Sequence, residues 1–386
     1  MKKNKLLPLS LAVLVSVSGL NLAQADETAD PQKRIWYQYG EGLHVKTTNN
    51  EIDATLRLYN KFKVNVVDQE IDYWSTGTGT HFQLPQSRAV LASDFLDGLF
   101  SFYGALDLIG VADRDSYGHK AFVPDEVSLS LNINQNFSII AGQWYIPFAK
   151  ESYSYSEFLY NMEYGSIAGN YFGYLPEVGL GVDVNFDKTN FVAGVFTGKN
   201  ISDRQTDYKT DITLAALVSN SLLGEYNRET SSDVTWTKSP AVGVGVSGLY
   251  SRLKDKHGAE MKIDELKVSA DLGYKYCGTS TELELFYDNV SFRKIFDDLD
   301  YSTFGLTTKA GYFFIPKHLE GVIRFSWLNF DNKDEKNALE PALGVNYYVF
   351  GQNLRVGSML SYINTSYHQE KRTKDLLWLT SVVALF

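Results

Sequence analysis

The sequence contains a single cysteine and, after its N-terminal segment, no long apolar run. Cys277 stands alone among 386 residues, so the chain can form no intramolecular disulfide framework. Beyond residue 25, no stretch approaches the roughly 18 consecutive apolar residues that a membrane-spanning helix needs. We therefore exclude both a disulfide-rich scaffold and a protein that crosses a membrane by helices.

Positive charge is also scarce. The chain has 36 Lys and Arg against 46 Asp and Glu, which gives a formal net charge of −10. Binding to a nucleic-acid backbone requires clustered positive charge. We therefore predict no nucleic-acid partner.

The residue patterns of common catalytic sites are missing as well. The sequence has no H-E-x-x-H or G-x-S-x-G motif. Its six histidines are dispersed: His44, His81, His119, His257, His318 and His368. We predict no catalytic, cofactor-binding or metal-binding residue, no cofactor and no enzymatic activity. A triad assembled from separate strands is the enzymatic alternative, since triads depend on geometry and not on sequence order.

The N-terminus has the three parts of a secretory signal peptide. Lys2, Lys3 and Lys5 precede an apolar stretch over residues 6–20, and the small residues of Ala23-Gln24-Ala25 follow. A membrane-anchoring helix is the alternative, but serines interrupt the apolar stretch and no stop-transfer charges follow it. We predict that residues 1–25 are a signal peptide, cleaved after export.

Long segments of the chain alternate apolar and polar residues. Over residues 52–66 the apolar side chains share one parity, broken only by Asn60, and residues 266–276 and 304–314 show the same pattern. Alternation suits a strand with one face in lipid and one in water, whereas a helical period of 3.6 would mix the two sets. The segments run to about a dozen residues, enough to cross a bilayer at a tilt.

Short turns and longer polar connections follow one another in order. We predict short turns at residues 97–98, 134–136, 187–190, 277–280, 316–318 and 351–353. The longer connections are predicted at residues 68–85, 111–121, 296–302 and 331–337. This order is typical of outer-membrane barrels, whose turns are short on the periplasmic side. We predict an all-β fold, a transmembrane antiparallel barrel of about sixteen strands over residues 51–386.

Three segments need separate treatment. Residues 26–50 are interpreted as a periplasmic lead-in. Residues 220–239 lie where a short turn is expected, and they are either a longer excursion or hold a strand with misplaced edges. The last residues place Trp378, Thr380, Val382, Ala384 and Phe386 on one face, which resembles the C-terminal assembly signal of outer-membrane barrels. We therefore predict a location in the outer membrane of a Gram-negative bacterium.

One connection, residues 147–177, is far longer than the usual four to six residues. We predict that it folds into the barrel and narrows the channel; an external cap is the alternative. Its charged residues are our candidates for the constriction: Lys150, Glu151, Glu157, Glu163 and Glu177. They carry one positive and four negative charges, which favours cations at that point.

The residues before this connection resemble a known family. Residues 123–131 and 137–142, followed by the G-Q-x-x-x-P-F-x-x-E pattern of residues 142–151, are similar to the phosphate-selective porins. Residues 42–46, Arg88, residues 178–182, residues 310–314 and Arg324 match in order. The resemblance implies a homotrimer of sixteen-stranded barrels with the long loop inside. The basic residues that phosphate-selecting members carry near the constriction are replaced here by Glu163-Tyr164 and Glu177.

The inward parity of the predicted strands also carries basic residues. Our candidates for a basic channel wall are Arg57, Lys61, Lys63, Arg88, Lys267, Lys275, Lys309 and Arg324. They either form a basic stripe or are balanced by nearby acids such as Asp53, Glu265 and Asp271. We predict an outer-membrane porin for passive diffusion of small hydrophilic solutes and ions, with a slight cation preference. The alternatives are a phosphate- or anion-selective porin and a non-conducting structural or adhesive barrel.

Overall fold

The structure is a computed structural model. It describes residues 35–38, 41–47, 52–67, 79–108, 123–153, 166–173, 176–197, 208–255, 262–293, 300–331, 336–367 and 373–385. No helix in these ranges is long and apolar enough to cross a membrane. The predicted signal peptide, Glu157, Glu163 and Phe386 lie outside the described residues.

Nearly all of the described chain is β-strand. The strands are β1 (Ile35–Gln38), β2 (Gly42–Lys46), β3 (Ile52–Val67), β4 (Gly79–Phe95), β5 (Phe100–Asp107), β6 (Val123–Asn134), β7 (Phe137–Tyr145), β8 (Pro176–Phe186), β9 (Thr189–Phe196), β10 (Tyr208–Leu223), β11 (Ala241–Asp255), β12 (Lys262–Tyr276), β13 (Thr279–Arg293), β14 (Tyr301–Ile315), β15 (Leu319–Phe330), β16 (Lys336–Phe350), β17 (Leu354–Tyr367) and β18 (Thr373–Leu385). Two short helices, α1 (Lys150–Tyr153) and α2 (Ile167–Phe172), lie between β7 and β8.

Strands β3 to β18 form a closed antiparallel barrel of sixteen strands, as predicted. Each strand pairs with the next one along the chain, and β18 pairs with β3 to close the cylinder. The short hairpin of β1 and β2 lies on the same edge of β3, because β2 pairs with that strand. Strand β18 covers β3 from Tyr59 to Val67, and β2 covers the same edge from Asp53 to Leu56. Over these two ranges the edge of β3 therefore has strand partners, and a barrel in lipid needs such partners for its backbone hydrogen-bonding groups.

The alternation divides the strands into an outer and an inner face. On β12, Leu266 and Leu272 are about half exposed, at 48% and 46%, whereas Lys267 and Ser269 between them are buried. Leu56 and Leu58 on β3 are exposed in the same way. Large apolar side chains exposed in rows around a closed barrel are the surface that lipid covers. The predicted facing of these two strands is confirmed.

The turns follow the prediction with two differences. β12 and β13 are joined by Cys277 and Gly278, both at positive φ, as a type I′ hairpin turn requires. Strand β4 begins at Gly79, so the predicted connection over residues 68–85 is too long. The cause is Pro85, which we took as the end of a loop. It lies in a bulge of β4, between the residues opposite Lys61 and Lys63, where a missing N–H costs little.

The second difference lies between β10 and β11. Residues 224–240 contain no strand and join two strands at the end of the barrel where the other described connections are short turns. The interpretation as a longer excursion is therefore confirmed for residues 224–239, whereas residues 220–223 belong to the end of β10, whose edge the prediction misplaced. We call residues 224–240 the insertion.

A lysine on the outer face should prevent assembly. Leu272→Lys places a charge in lipid at a cost of roughly 2–4 kcal/mol, so the yield of folded barrel should fall. Ser130→Lys is the control, because Ser130 is partly exposed on the inner face of β6, beside the outward Leu129. Ser269 on the inner face of β12 is not suitable as a control, because it is only 1% exposed and leaves no room for a lysine. Heat-modifiable mobility on gels measures the yield, and equal yields for the two variants would contradict the facing.

Candidate functional site in the barrel interior

The basic residues on the inner face of β12–β15 are buried and hold acidic or carbonyl partners. Lys267 Nζ lies 3.0 Å from Glu265 and 3.9 Å from Asp288. Arg324 is paired with Glu340. Lys275 donates to the backbone oxygens of residues 227 and 230, at 2.8 and 2.5 Å. These side chains therefore hold structure inside the barrel and present little free positive charge.

The first half of the long loop, which we define as residues 146–175, is anchored to β13. Lys150 Nζ is paired with Glu282, and the backbone N–H groups of Lys150 and Glu151 donate to Glu284 at 2.5 and 3.1 Å. Burial acts to lower the pKa of Lys150, but Glu282 and Tyr226 outweigh it and raise that pKa. Lys150 therefore stays charged and fixes the start of the loop to the wall.

Glu151 makes the second anchor, to β14. Its carboxylate lies 3.1 Å from Lys309 Nζ and accepts the N–H of Ser166 at 2.5 Å. Burial acts to raise the pKa of Glu151, but Lys309, Arg324 and the Ser166 N–H outweigh it and hold the pKa below its usual value. A lowered pKa makes this stabilisation complete at neutral pH, and it is lost as the pH falls through the lowered value.

Helix α2 directs its first N–H groups at the wall. Ser166 caps the helix by accepting from Gly169 N at 2.9 Å. The N–H of Ile167 donates to Glu340 at 3.2 Å, and that of Ala168 to Ser326 at 3.0 Å. The first N–H groups of a helix have no partner within it, so these wall side chains take their place. The wall thus supplies the partners that stabilise a short helix within the long connection.

An apolar layer lies between the long loop and the wall. Phe172 is stacked on Phe286 with ring centroids 4.9 Å apart, and Trp144 contacts Phe196 at 4.8 Å. The buried cluster includes Ile146, Phe148, Ala149, Ile167, Ala168, Val192, Ala215, Leu249, Leu328, Phe330, Ala338, Ile363 and Leu377. This part of the interior is packed like a protein core and contributes no open wall.

The other predicted residues lie elsewhere. Arg57 is exposed on β3, and Arg88 lies on the adjacent β4, opposite Tyr59. Lys61 and Lys63 are in β3, but their side chains lie outside the described part of the structure. Glu177 is in β8, opposite Trp144, so the loop ends two residues earlier than predicted. The wall candidates therefore fall into two groups, one at β3–β4 and one at β12–β15.

The insertion lies inside the barrel, a position that the sequence did not reveal. Arg228 is paired with Asp271, and Ser231 Oγ donates to Glu282 at 3.0 Å. Burial raises the pKa of Tyr226 to about 12, and its hydroxyl lies 3.4 Å from Lys150 Nζ. The sequence indicated this segment only by interrupting the regular order of short and long connections. It indicated extra residues but could not show that they turn inward.

A cavity of about 1030 Å³ remains between the insertion and the opposite wall. Strands β6–β11 form that wall, and Lys150 of the long loop and the N-terminal half of the insertion form the rest. Its charged lining residues are Glu126, Asp183, Asp187, Glu225, Glu229, Lys150, Lys188 and Arg228. Acidic residues are in excess, and both Lys150 and Arg228 are already paired with acids outside this set.

Comparison with known proteins gives one family and a shared fold. The family model described as phosphate-selective porin O and P matches residues 56–385. No curated protein matches the sequence.

Solved structures share the barrel at low sequence identity. The anion-selective porin from Comamonas acidovorans is 12% identical with a TM-score of 0.62, covering 87% of this chain and 100% of its own. The outer membrane channel DcaP of Acinetobacter baumannii is 14% identical with a TM-score of 0.59, covering 90% and 100%. OmpT, an outer membrane protein of Vibrio cholerae, is 11% identical with a TM-score of 0.61, covering 89% and 100%. At these identities the likeness establishes the fold alone.

Loss of the Glu151 anchor should destabilise the protein. Lys309→Met leaves the Glu151 carboxylate buried without its closest cation, which costs roughly 3–5 kcal/mol. The control is Lys46→Met, which removes an exposed ion pair of 3.3 Å to Asp53 and should cost less than about 1 kcal/mol. Urea titration of the refolded barrels measures both free energies of unfolding. Equal losses would show that the buried pair does not anchor the loop.

Proposed function

The chain belongs to the phosphate-selective porin O and P family, and from this premise we propose an outer-membrane porin whose passage weakly favours cations. Members of the family are channels through which small hydrophilic solutes and ions diffuse passively. The finer point, the sign of the ion preference, depends on which charges face water inside this barrel.

The acidic lining of the cavity carries the proposal. Asp183, Asp187, Glu225 and Glu229 outnumber the basic lining residues, and the buried pairs of Lys150 and Arg228 reduce the positive charge that a solute meets. In a water-filled pore one charge at about 4 Å acts with only about 1 kcal/mol. The resulting selectivity is weak, and neutral hydrophilic solutes of suitable size pass as well.

A second candidate is an anion- or phosphate-selective porin. The family description and the name of the Comamonas acidovorans protein point in that direction. The supporting observation in this chain is the group of basic residues at β3–β4, where Arg57 is exposed and Arg88 lies on the neighbouring strand. Lys61 and Lys63 belong to the same strand as Arg57. If these four side chains line the narrowest section, they favour anions.

Electrical measurements on the purified protein in a planar bilayer separate the candidates. We expect steady single-channel conductance and a reversal potential in a potassium chloride gradient that corresponds to a two- to fivefold preference for K⁺, about what one or two nearby carboxylates supply. Phosphate should leave the chloride current nearly unchanged. A strongly anion-selective current blocked by low phosphate would establish the second candidate. Absence of any current would indicate a non-conducting barrel.

Export and assembly complete the proposal. We propose that residues 1–25 are a signal peptide that is cleaved after Ala25 and that the barrels form homotrimers in the outer membrane. The layout of the N-terminus supports the first point, and the family supports the second. Mass spectrometry of the protein from outer membranes should find a mature chain that begins at Asp26. Gel migration without heating should show a species of three chains, and a monomer under these conditions would contradict the trimer.

A further inference from the structure

The insertion enters the barrel at the end where its neighbours are short turns. It runs from the end of β10 at Leu223 to the start of β11 at Ala241, whereas the next connection at this end of the barrel consists of Cys277 and Gly278. Seventeen residues are not needed to join two antiparallel strands, since two suffice. Its side chains are directed into the interior, where Ser231 and Asp233 are fully buried.

Glycines on the inner face of the wall make room for this segment. Gly243 on β11 and Gly273 on β12 face each other in register, and the ring of Tyr226 lies over both. A methyl group at either position would overlap that ring. Gly245 lies beneath the guanidinium of Arg228 in the same way, and its register partner is Asp271, the residue paired with Arg228. The wall is therefore shaped to receive the insertion.

Polar and aromatic contacts fix the rest of the insertion. Asp233 accepts the N–H of Thr237 at 2.9 Å and the N–H of Gly278 at 2.8 Å. Trp236 packs over Gly278, with its ring centroid 6.4 Å from that of Phe313. Buried hydrogen bonds to backbone groups hold a segment in one position, because leaving those groups without partners would cost 1–3 kcal/mol each. The insertion is thus a fixed part of the interior.

The N-terminal half of the insertion has two different faces. Tyr226 and Arg228 point to the wall, while Glu225, Asn227 and Glu229 alternate with them and are exposed on the cavity side. In the part of the chain that the structure describes, neither Glu225 nor Glu229 is in an ion pair. Their carboxylates therefore act on solutes in the cavity, in contrast to the paired Glu151 and Glu282.

Glu282 connects the insertion to the long loop. One carboxylate oxygen is paired with Lys150 of the loop, and the other accepts from Ser231 of the insertion at 3.0 Å. Lys150 also lies against Tyr226, with Nζ 5.8 Å from the ring centroid. The two inserted segments thus meet at one buried carboxylate, and the position of each depends on the other.

We propose that the insertion is a second constriction and selectivity element of the channel, in which Glu225 and Glu229 attract cations at the short-turn end of the passage. This rests on the proposed function, because a selectivity element requires a conducting pore. The long loop narrows the barrel from one side, and the insertion restricts the space that remains. Glycines 243 and 273 are the positions that allow it to dock.

Charge removal at the cavity face tests the selectivity role without disturbing the anchors. The double variant Glu225→Gln with Glu229→Gln should lower the K⁺/Cl⁻ permeability ratio about two- to fivefold in a potassium chloride gradient, with single-channel conductance reduced in dilute salt. The matched control is Asp97→Asn, which removes an exposed carboxylate in the short turn between β4 and β5, at the same end of the barrel but outside the cavity lining, and should leave the ratio unchanged. An unaltered ratio in the double variant overturns the proposal.

Displacing the insertion tests the constriction. Gly243→Ala and Gly273→Ala should force Tyr226 off the wall and change the conductance in 1 M salt, whereas Gly248→Ala on the same strand β11 should not, because a methyl group there meets only Lys267 O at 4.0 Å. Heat-modifiable gel mobility shows whether each variant forms a folded barrel. If the alanine variants do not fold, a variant in which Asn-Gly replaces residues 224–240 is measured instead. Its single-channel conductance should be higher than that of the wild type. Wild-type conductance in the replacement overturns the constriction. A wild-type protein that does not conduct contradicts the proposed function itself.

Discussion

One constraint governs the interior of this barrel: a charged side chain that is removed from water there needs an opposite charge or hydrogen-bonding groups as partners. Glu282 illustrates it, since its two carboxylate oxygens bind Lys150 of the long loop and Ser231 of the insertion. Glu151 with Lys309 and Arg228 with Asp271 repeat the arrangement. Because an unpaired buried charge costs several kcal/mol, these pairs fix where both inserted segments lie. The positions of α1, α2 and the cavity follow from them.

The pairs divide the interior into two functional regions. Against β12–β15 the inserted segments and the apolar layer around Phe172 and Phe286 replace water, and the charges there neutralise one another. Along β6–β11 a cavity remains, and carboxylates are among its lining residues. A charge acts on a passing ion only where water and the ion can reach it. A count of inward charges by strand parity therefore overestimates the positive charge that the wall presents to water.

Glycines on the inner face also fix the position of the insertion, because they leave room for its side chains. Gly243, Gly245 and Gly273 are weak strand formers, yet they lie near the start of β11 and near the end of β12, two long strands of the barrel. The space above them is filled by Tyr226 and Arg228, so the packing lost from the wall is supplied by the insertion. On the lipid side of β11, Gly248 has no such neighbour. The inner surface of the barrel and the segment it holds are thus complementary in shape as well as in charge.

The sequence by itself determined the barrel, its sixteen strands and the two faces of strands such as β3 and β12, because alternation and turn chemistry act over neighbouring residues. It also singled out residues 220–239 as exceptional and Lys150 and Glu151 as residues of the long loop. Only the tertiary structure decided that Lys267, Lys275, Lys309 and Arg324 are held by partners, while Glu225 and Glu229 face the cavity. The partners are distant: Lys150 and Glu282 are separated by 132 residues and meet only because the barrel closes. Local patterns carry no information on such contacts, because the distance between these residues is set only when the barrel closes.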